Sequence, residues 1–105
     1  MPELAPPISV SAVQWQIIQD ILIKVAPKIE VWAFGSRAKF TAKPYSDLDL
    51  VFLGGHPLTL NQIADLSNAF VDSDLPFKVD VVDWSTISQE FKNIILEHYV
   101  PIKKN

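Results

Sequence analysis

The sequence predicts a small α/β protein of the α+β kind, with a mixed sheet that carries its helices mainly on one face. Two observations point there. Apolar residues recur at helical spacing in three separated stretches, and short runs rich in β-branched and aromatic residues stand between them. The third consideration is size. At 105 residues, 49% hydrophobic and 20% charged, the chain can build one core and one domain without disulfide or metal staples.

Pro2, Pro6 and Pro7 mark residues 1–8 as a loose N-terminal arm, leaving 9–105 as the single domain. Ser9 or Ser11 can cap a helix that runs to about Ala26, with Val13, Ile17, Ile18, Ile21, Leu22 and Val25 on one stripe and Pro27 as its stop. Residues 29–34 read as a buried strand that Gly35 and Ser36 break sharply. A short helical turn and a loop follow over 37–45, then a second strand over 46–53 and a turn at Gly54-Gly55-His56-Pro57. Thr59 with Gln62 forms a capping box for a helix to about Val71, with Leu60, Ile63, Leu66 and Phe70 facing the core. Residues 77–82 make the third strand. Thr86 with Gln89 reads as a second capping box, opening a helix that carries Ile87, Phe91, Ile94 and Ile95. Residues 99–102 are expected as a tail or a fourth strand, at an edge because Pro101 cannot serve a central ladder.

Composition excludes several functions. Without cysteine there is no disulfide scaffold, zinc ribbon or thiol chemistry. A formal charge of -3 gives no hint of the basic face that grips long nucleic acid. Apolar runs are broken by Lys24, Pro27 and Lys28 before they reach a membrane span, and Met1-Pro2-Glu3-Leu4 lacks the basic opening of a signal peptide. A cytoplasmic setting is the expectation.

The chemistry concentrates in two segments, Phe34-Gly35-Ser36-Arg37 and Ser46-Asp47-Leu48-Asp49-Leu50. Strand side chains alternate, so Asp47 and Asp49 share a face with Cα atoms roughly 6.5 Å apart, while Leu48 and Leu50 face the core. Two neighbouring carboxylates repel unless a cation lies between them. Magnesium suits them, because it takes oxygen ligands and commonly combines one or two carboxylates with substrate phosphates. Gly35 lets the backbone turn sharply and approach a ligand, and the N–H groups that follow it make an anion site; Ser36 can cap that turn or bond a phosphate oxygen. Arg37 either adds charge to a phosphate or lies on the surface. Asp80, inside the β-branched run Val79-Asp80-Val81-Val82, needs a partner, and the same metal site is the most economical one. Asp83 has the opposite parity and sits where a cap or turn explains it.

Glycine and serine, ten residues, then Asp-x-Asp is the signature of the DNA polymerase β-like nucleotidyltransferase superfamily, met here by Gly35, Ser36, Asp47 and Asp49. Within it, Trp-Ala-Phe-Gly-Ser-Arg at 32–37, Tyr-Ser-Asp-Leu-Asp-Leu at 45–50 and Val-Asp-Val-Val-Asp-Trp at 79–84 resemble the minimal nucleotidyltransferases (MNT proteins) over nearly the whole chain beyond the arm. The resemblance implies a polymerase β palm-like core. It implies that Gly35, Ser36 and Arg37 serve the nucleotide, and that Asp47, Asp49 and Asp80 hold two magnesium ions and carry catalysis, Asp80 also helping to activate the attacking hydroxyl. It implies ATP as substrate and a HEPN-family helical protein, encoded nearby, as partner, with MNT as antitoxin transferring AMP to a tyrosine of the toxin. A homo- or hetero-oligomer would fit that arrangement. Two other readings stand beside it: an enzyme modifying a small molecule, as aminoglycoside-type relatives do, and an antitoxin that blocks its partner by contact alone. No Gly-x-x-x-x-Gly-Lys-Ser/Thr cradle is present, so this is not a P-loop NTPase.

Of the remaining residues, Trp15 and Trp32 are explained by packing. Trp84 and Tyr99 suit either a partner surface or the edge of the core. Lys39 and Lys43, with Arg37, form a small basic loop beside the Gly-Ser turn. His56 and His98 lack metal-ligand companions at sensible spacing.

Overall fold

The computed structural model describes residues 5–104. In chain order it has α1 (Ala12–Val25), β1 (Glu30–Phe34), β2 (Leu48–Leu53), α2 (Leu60–Val71), β3 (Val79–Asp83), a 3-10 turn (Trp84–Thr86), α3 (Gln89–Glu97) and β4 (Tyr99–Lys103). The four strands form one mixed sheet in the order β3-β2-β1-β4. β1 pairs antiparallel with β2 and with β4, whereas β2 and β3 run parallel, joined through α2. β4 is an edge strand, which tolerates Pro101 because its missing N–H costs no central ladder bond.

Alternation along β2 divides the core. Leu48, Leu50 and Phe52 are wholly buried with Val31 and Ala33 of β1 in the larger cluster, under Ile18 and Leu22 of α1 and Leu66 and Phe70 of α2. Val51 lies on the other face with Phe34 and Ile95, flanked by Trp32, Trp84 and Phe91. The expected helices on one face are α1 and α2, and α3 covers part of the other. That second face carries Asp49 and Asp80.

Both long helices begin as predicted. Ser11 and Gln14 cap α1 reciprocally, and Thr59 and Gln62 do the same for α2. Two residues placed on the apolar stripes are nonetheless exposed, Val13 at 71% and Leu60 at 86%. The residue before each cap explains this. Val10 and Trp15 about α1, and Leu58 and Ile63 about α2, stand at the two positions of a hydrophobic staple and pack on the larger cluster. They occupy the core side of the first turn, so Val13 and Leu60 are left outside it.

Three further expectations are corrected. The cap of α3 is Ser88, whose hydroxyl accepts from Phe91 N. Thr86 ends the preceding 3-10 turn, and its hydroxyl donates to Asp83 O at 3.2 Å. That turn exists because Asp83 caps it, so the chain cannot start a helix at Thr86. Strand β2 begins at Leu48 rather than Ser46. Ile8, placed in the N-terminal arm from the sequence, is 1% exposed and belongs to the core; residues 1–4 lie outside the described residues.

Candidate active site

Asp49 is the second residue of β2, with Phe34 of β1 opposite it on one side and Asp80 of β3 opposite on the other. The site shared by Asp49 and Asp80, expected from the need of Asp80 for a partner, is formed by strand pairing, which brings their carboxyls together on the α3 face. Asp47 is exposed in the segment leading into β2, and its charge reaches Asp49. The Asp49 carboxyl is pushed up from 3.8 to about 6, first by burial, then by Asp80, which is close enough to share a proton with it, and last by Asp47. The crowding of negative charge anticipated from the sequence follows from the register that sets Asp49 opposite Asp80.

Gly35 follows β1 directly and has φ +74. A Cβ there would overlap Asp49 Oδ2 and lie 3.3 Å from Asp49 Cγ. Glycine is required twice over, for the left-handed backbone and for the carboxylate lying against it. Ser36 stands at the head of one tight turn, in which Lys39 N donates to Gly35 O and Thr41 N to Ser36 O. Phe40 closes the turn in the left-handed region at φ 57. From α3, His98 Nε2 donates to Ala38 O at 3.0 Å and holds the turn against the helix end.

Arg37 neither reaches toward a phosphate nor lies on the surface. It is 4% exposed, and its guanidinium donates to Ser46 O at 2.9 Å, Ser9 O at 2.7 Å, Pro44 O at 3.0 Å and Lys43 O at 3.4 Å, over the ring of Phe77. Its fork is spent on backbone carbonyls. It ties the Gly-Ser turn to the segment before Asp47, and so positions an aspartate. Of the residues expected at the nucleotide, Gly35 and Ser36 remain as candidate phosphate ligands.

Asp83 is the cap its parity suggested. Its Oδ1 accepts from Ser85 N and its Oδ2 from Leu58 N, with the residue 8% exposed. Trp32 stacks on the exposed Tyr99 with centroids 4.1 Å apart and meets Trp84 edge-on at 5.6 Å, and the two tryptophans pack against the second cluster.

One residue of the site was missed. Lys78 Nζ lies 3.1 Å from Asp80 Oδ1. Its own pKa is raised, chiefly by the bond to Asp80, then by the charges of Asp80 and Asp47. The signal was available, because Lys78 precedes Asp80 by two and shares its parity.

Among the described residues, no three His, Asp or Glu side chains form a closed metal cage. The oxygen donors still suit magnesium, which is usually held by one or two carboxylates together with substrate phosphates rather than by protein alone. Asp49 and Asp80, in register beside the Gly35 backbone, and Asp47 in the exposed segment before β2 are the groups that could hold it. The described residues include no helix long and apolar enough to cross a membrane.

The profile of the nucleotidyltransferase domain family matches residues 15–102. A protein of Haemophilus influenzae named a probable protein adenylyltransferase, MntA, is 47% identical over 88 residues, which are 84% of this chain and 77% of that one. A toxin–antitoxin structure with AMP-PNP superposes with a TM-score of 0.72 at 23% identity, over 87% of this chain and 73% of its own. The complex of a tri-AMPylated Shewanella oneidensis HEPN toxin with its MNT antitoxin gives a TM-score of 0.66 at 22% identity, over 89% and 71%. At such identities the solved structures bear on the fold.

Proposed function

The chain belongs to the nucleotidyltransferase domain family, and from that premise we propose that it transfers AMP from ATP to a hydroxyl of a HEPN-family partner, acting as the antitoxin of the pair. The observation that carries this reading is the contact of Gly35 with Asp49, in register with Asp80. A pure binding module has no use for a glycine that admits a carboxylate into a crowd of like charges. The name of the Haemophilus relative and the AMPylated toxin in the Shewanella complex support the choice of group and acceptor.

In this reaction the acceptor oxygen forms a bond to the α-phosphorus as the bond to the bridging oxygen breaks, and pyrophosphate leaves with the electron pair. The N–H groups heading the Gly35–Ser36 turn bind the terminal phosphates and fix the α-phosphorus relative to β2. A tyrosine hydroxyl has a pKa near 10, so it needs a base at neutral pH, and Asp80 accepts its proton. Magnesium, held by Asp47, Asp49 and Asp80, would supply charge compensation at the phosphates and at the attacking oxygen. Arg37 holds the Asp47 segment in place through Ser46 O. A cytoplasmic location, where ATP and magnesium are available, suits this chemistry.

Intact-mass spectrometry of the HEPN protein after incubation with this chain, ATP and magnesium is the test. An added mass of one or more AMP is expected, and its absence with the Asp47→Asn/Asp49→Asn double variant. An unchanged mass in a stable complex would overturn transfer in favour of neutralisation by contact.

A further inference from the structure

The carboxylate cluster contains its own cation. Lys78 Nζ is 3.1 Å from Asp80 Oδ1, and this is the one ion pair between a basic and an acidic side chain among the described residues. Other cations near the core are committed elsewhere. Arg37 is bound to carbonyls of Ser9, Lys43, Pro44 and Ser46, and Lys103 Nζ to those of Pro27, Ile29 and Lys104. Lys78 is thus the basic side chain paired directly with one of the aspartates, while Arg37 acts on Asp47 only through its charge. Lys78 directly precedes β3, two residues before Asp80, and its side chain reaches the Asp80 carboxyl.

The pair is exposed, with the Lys78 side chain at 71% and that of Asp80 at 36%. Exposed pairs are weak, and a lysine stem is long and freely rotating. A divalent ion carries twice the charge of an ammonium and binds Asp80 with less conformational cost. An attachment of this kind lessens the repulsion in the empty cluster without removing it, and is weak enough to give way.

We propose that Lys78 is a placeholder cation: it neutralises Asp80 while the site lacks metal, and a divalent ion must displace it to load. The inference rests on the metal reading under Proposed function and deepens it. It makes Lys78 a competitor of the metal in the nucleotide-free protein, and a source of metal discrimination by charge rather than by an extra ligand.

Calorimetric titration of the full chain with Mn²⁺, without nucleotide, tests it in the series Lys78→Arg, Lys78→Met and Lys78→Glu. Lys24→Met, exposed on α1, is the control for net charge. A unit charge a few ångströms from the ion, at solvent-screened strength, alters affinity by about five- to tenfold. We expect Lys78→Arg to match the unaltered protein, Lys78→Met to bind Mn²⁺ about fivefold more tightly, and Lys78→Glu more tightly again, with Lys24→Met unchanged. Thermal melts supply the second readout. In EDTA the Met and Glu variants melt below the unaltered protein, and in saturating Mn²⁺ that deficit closes or reverses. Equal affinity across the series, or a melting deficit of the same size with and without Mn²⁺, overturns the proposal and leaves Lys78 a structural residue. Failure of every protein in the series, unaltered chain included, to bind Mn²⁺ overturns the metal reading itself. Asp47→Asn/Asp49→Asn marks that baseline.

Discussion

A methyl group on Gly35 would meet Asp49 Oδ2, the mobile end of a side chain, before it met any backbone atom. The two consequences of Gly35→Ala therefore separate. The left-handed φ of +74 costs a non-glycine residue about 1 kcal/mol, which urea unfolding would register as a modest loss of stability. The carboxylate, pushed off its place, costs more in chemistry than in folding, because a displacement on the order of 1 Å at a reacting centre can lower the rate about 100-fold. We expect Gly35→Ala to fold, to melt slightly lower, and to transfer AMP about two orders of magnitude more slowly. An enzyme that loses stability and rate only in proportion would show that the carboxylate position is not what glycine protects. Asp80 and Asp83 show what a sequence states well at this scale: their opposite parity is a property of the pleat within one strand, and needs no tertiary information. Arg37 shows what it states badly. Whether a guanidinium meets a phosphate or four carbonyls depends on a loop path that no local pattern specifies.

At the scale of elements, the capping boxes of α1 and α2 were legible because side chain and backbone partner lie three residues apart, inside the pattern being read. The α3 cap was not, because Ser85, Thr86 and Ser88 all precede that helix and the choice was made by Asp83, which closes a turn through Ser85 N while bonding Leu58 N, 25 residues away. The loop from β1 to β2 is the other long-range case. Arg37 bonds a residue before α1 and three in the 43–46 segment, so it holds together pieces that neither helix nor sheet connects. Arg37→Lys keeps the charge but loses the planar fork, and strands carbonyls that the fork satisfied. We expect it to destabilise the chain by about 2–3 kcal/mol, while the protein that remains folded binds ATP with unaltered affinity. A large loss of ATP affinity, measured by titration calorimetry at a temperature where the variant is folded, would return Arg37 to the phosphates.

For the molecule as a whole, the site is a standing charge repulsion built into the sheet, and stability should record it. The Asp49 carboxyl is raised from 3.8 to about 6 in the folded chain, by burial first and then by its acidic neighbours. A carboxyl raised on folding favours the folded state when protonated. Its stabilising contribution is full below the unfolded value of 3.8 and is lost as pH rises through about 6. The metal-free protein, kept in EDTA, should therefore become more stable between pH 7.5 and 5. Asp49 is only partly buried, so solvent screening reduces the gain to about 1 kcal/mol. Asp49→Asn removes the titration, so its stability should change less over this interval and exceed that of the unaltered chain at pH 7.5. Saturating magnesium with ATP should act in the opposite sense, stabilising the unaltered protein by mass action and the Asn variant little. Equilibrium urea unfolding of both proteins at the two pH values, with and without the ligands, gives all of these differences. Identical pH slopes for the two chains would mean that the carboxylates relax apart in solution, and that the strand register does not by itself hold the site together.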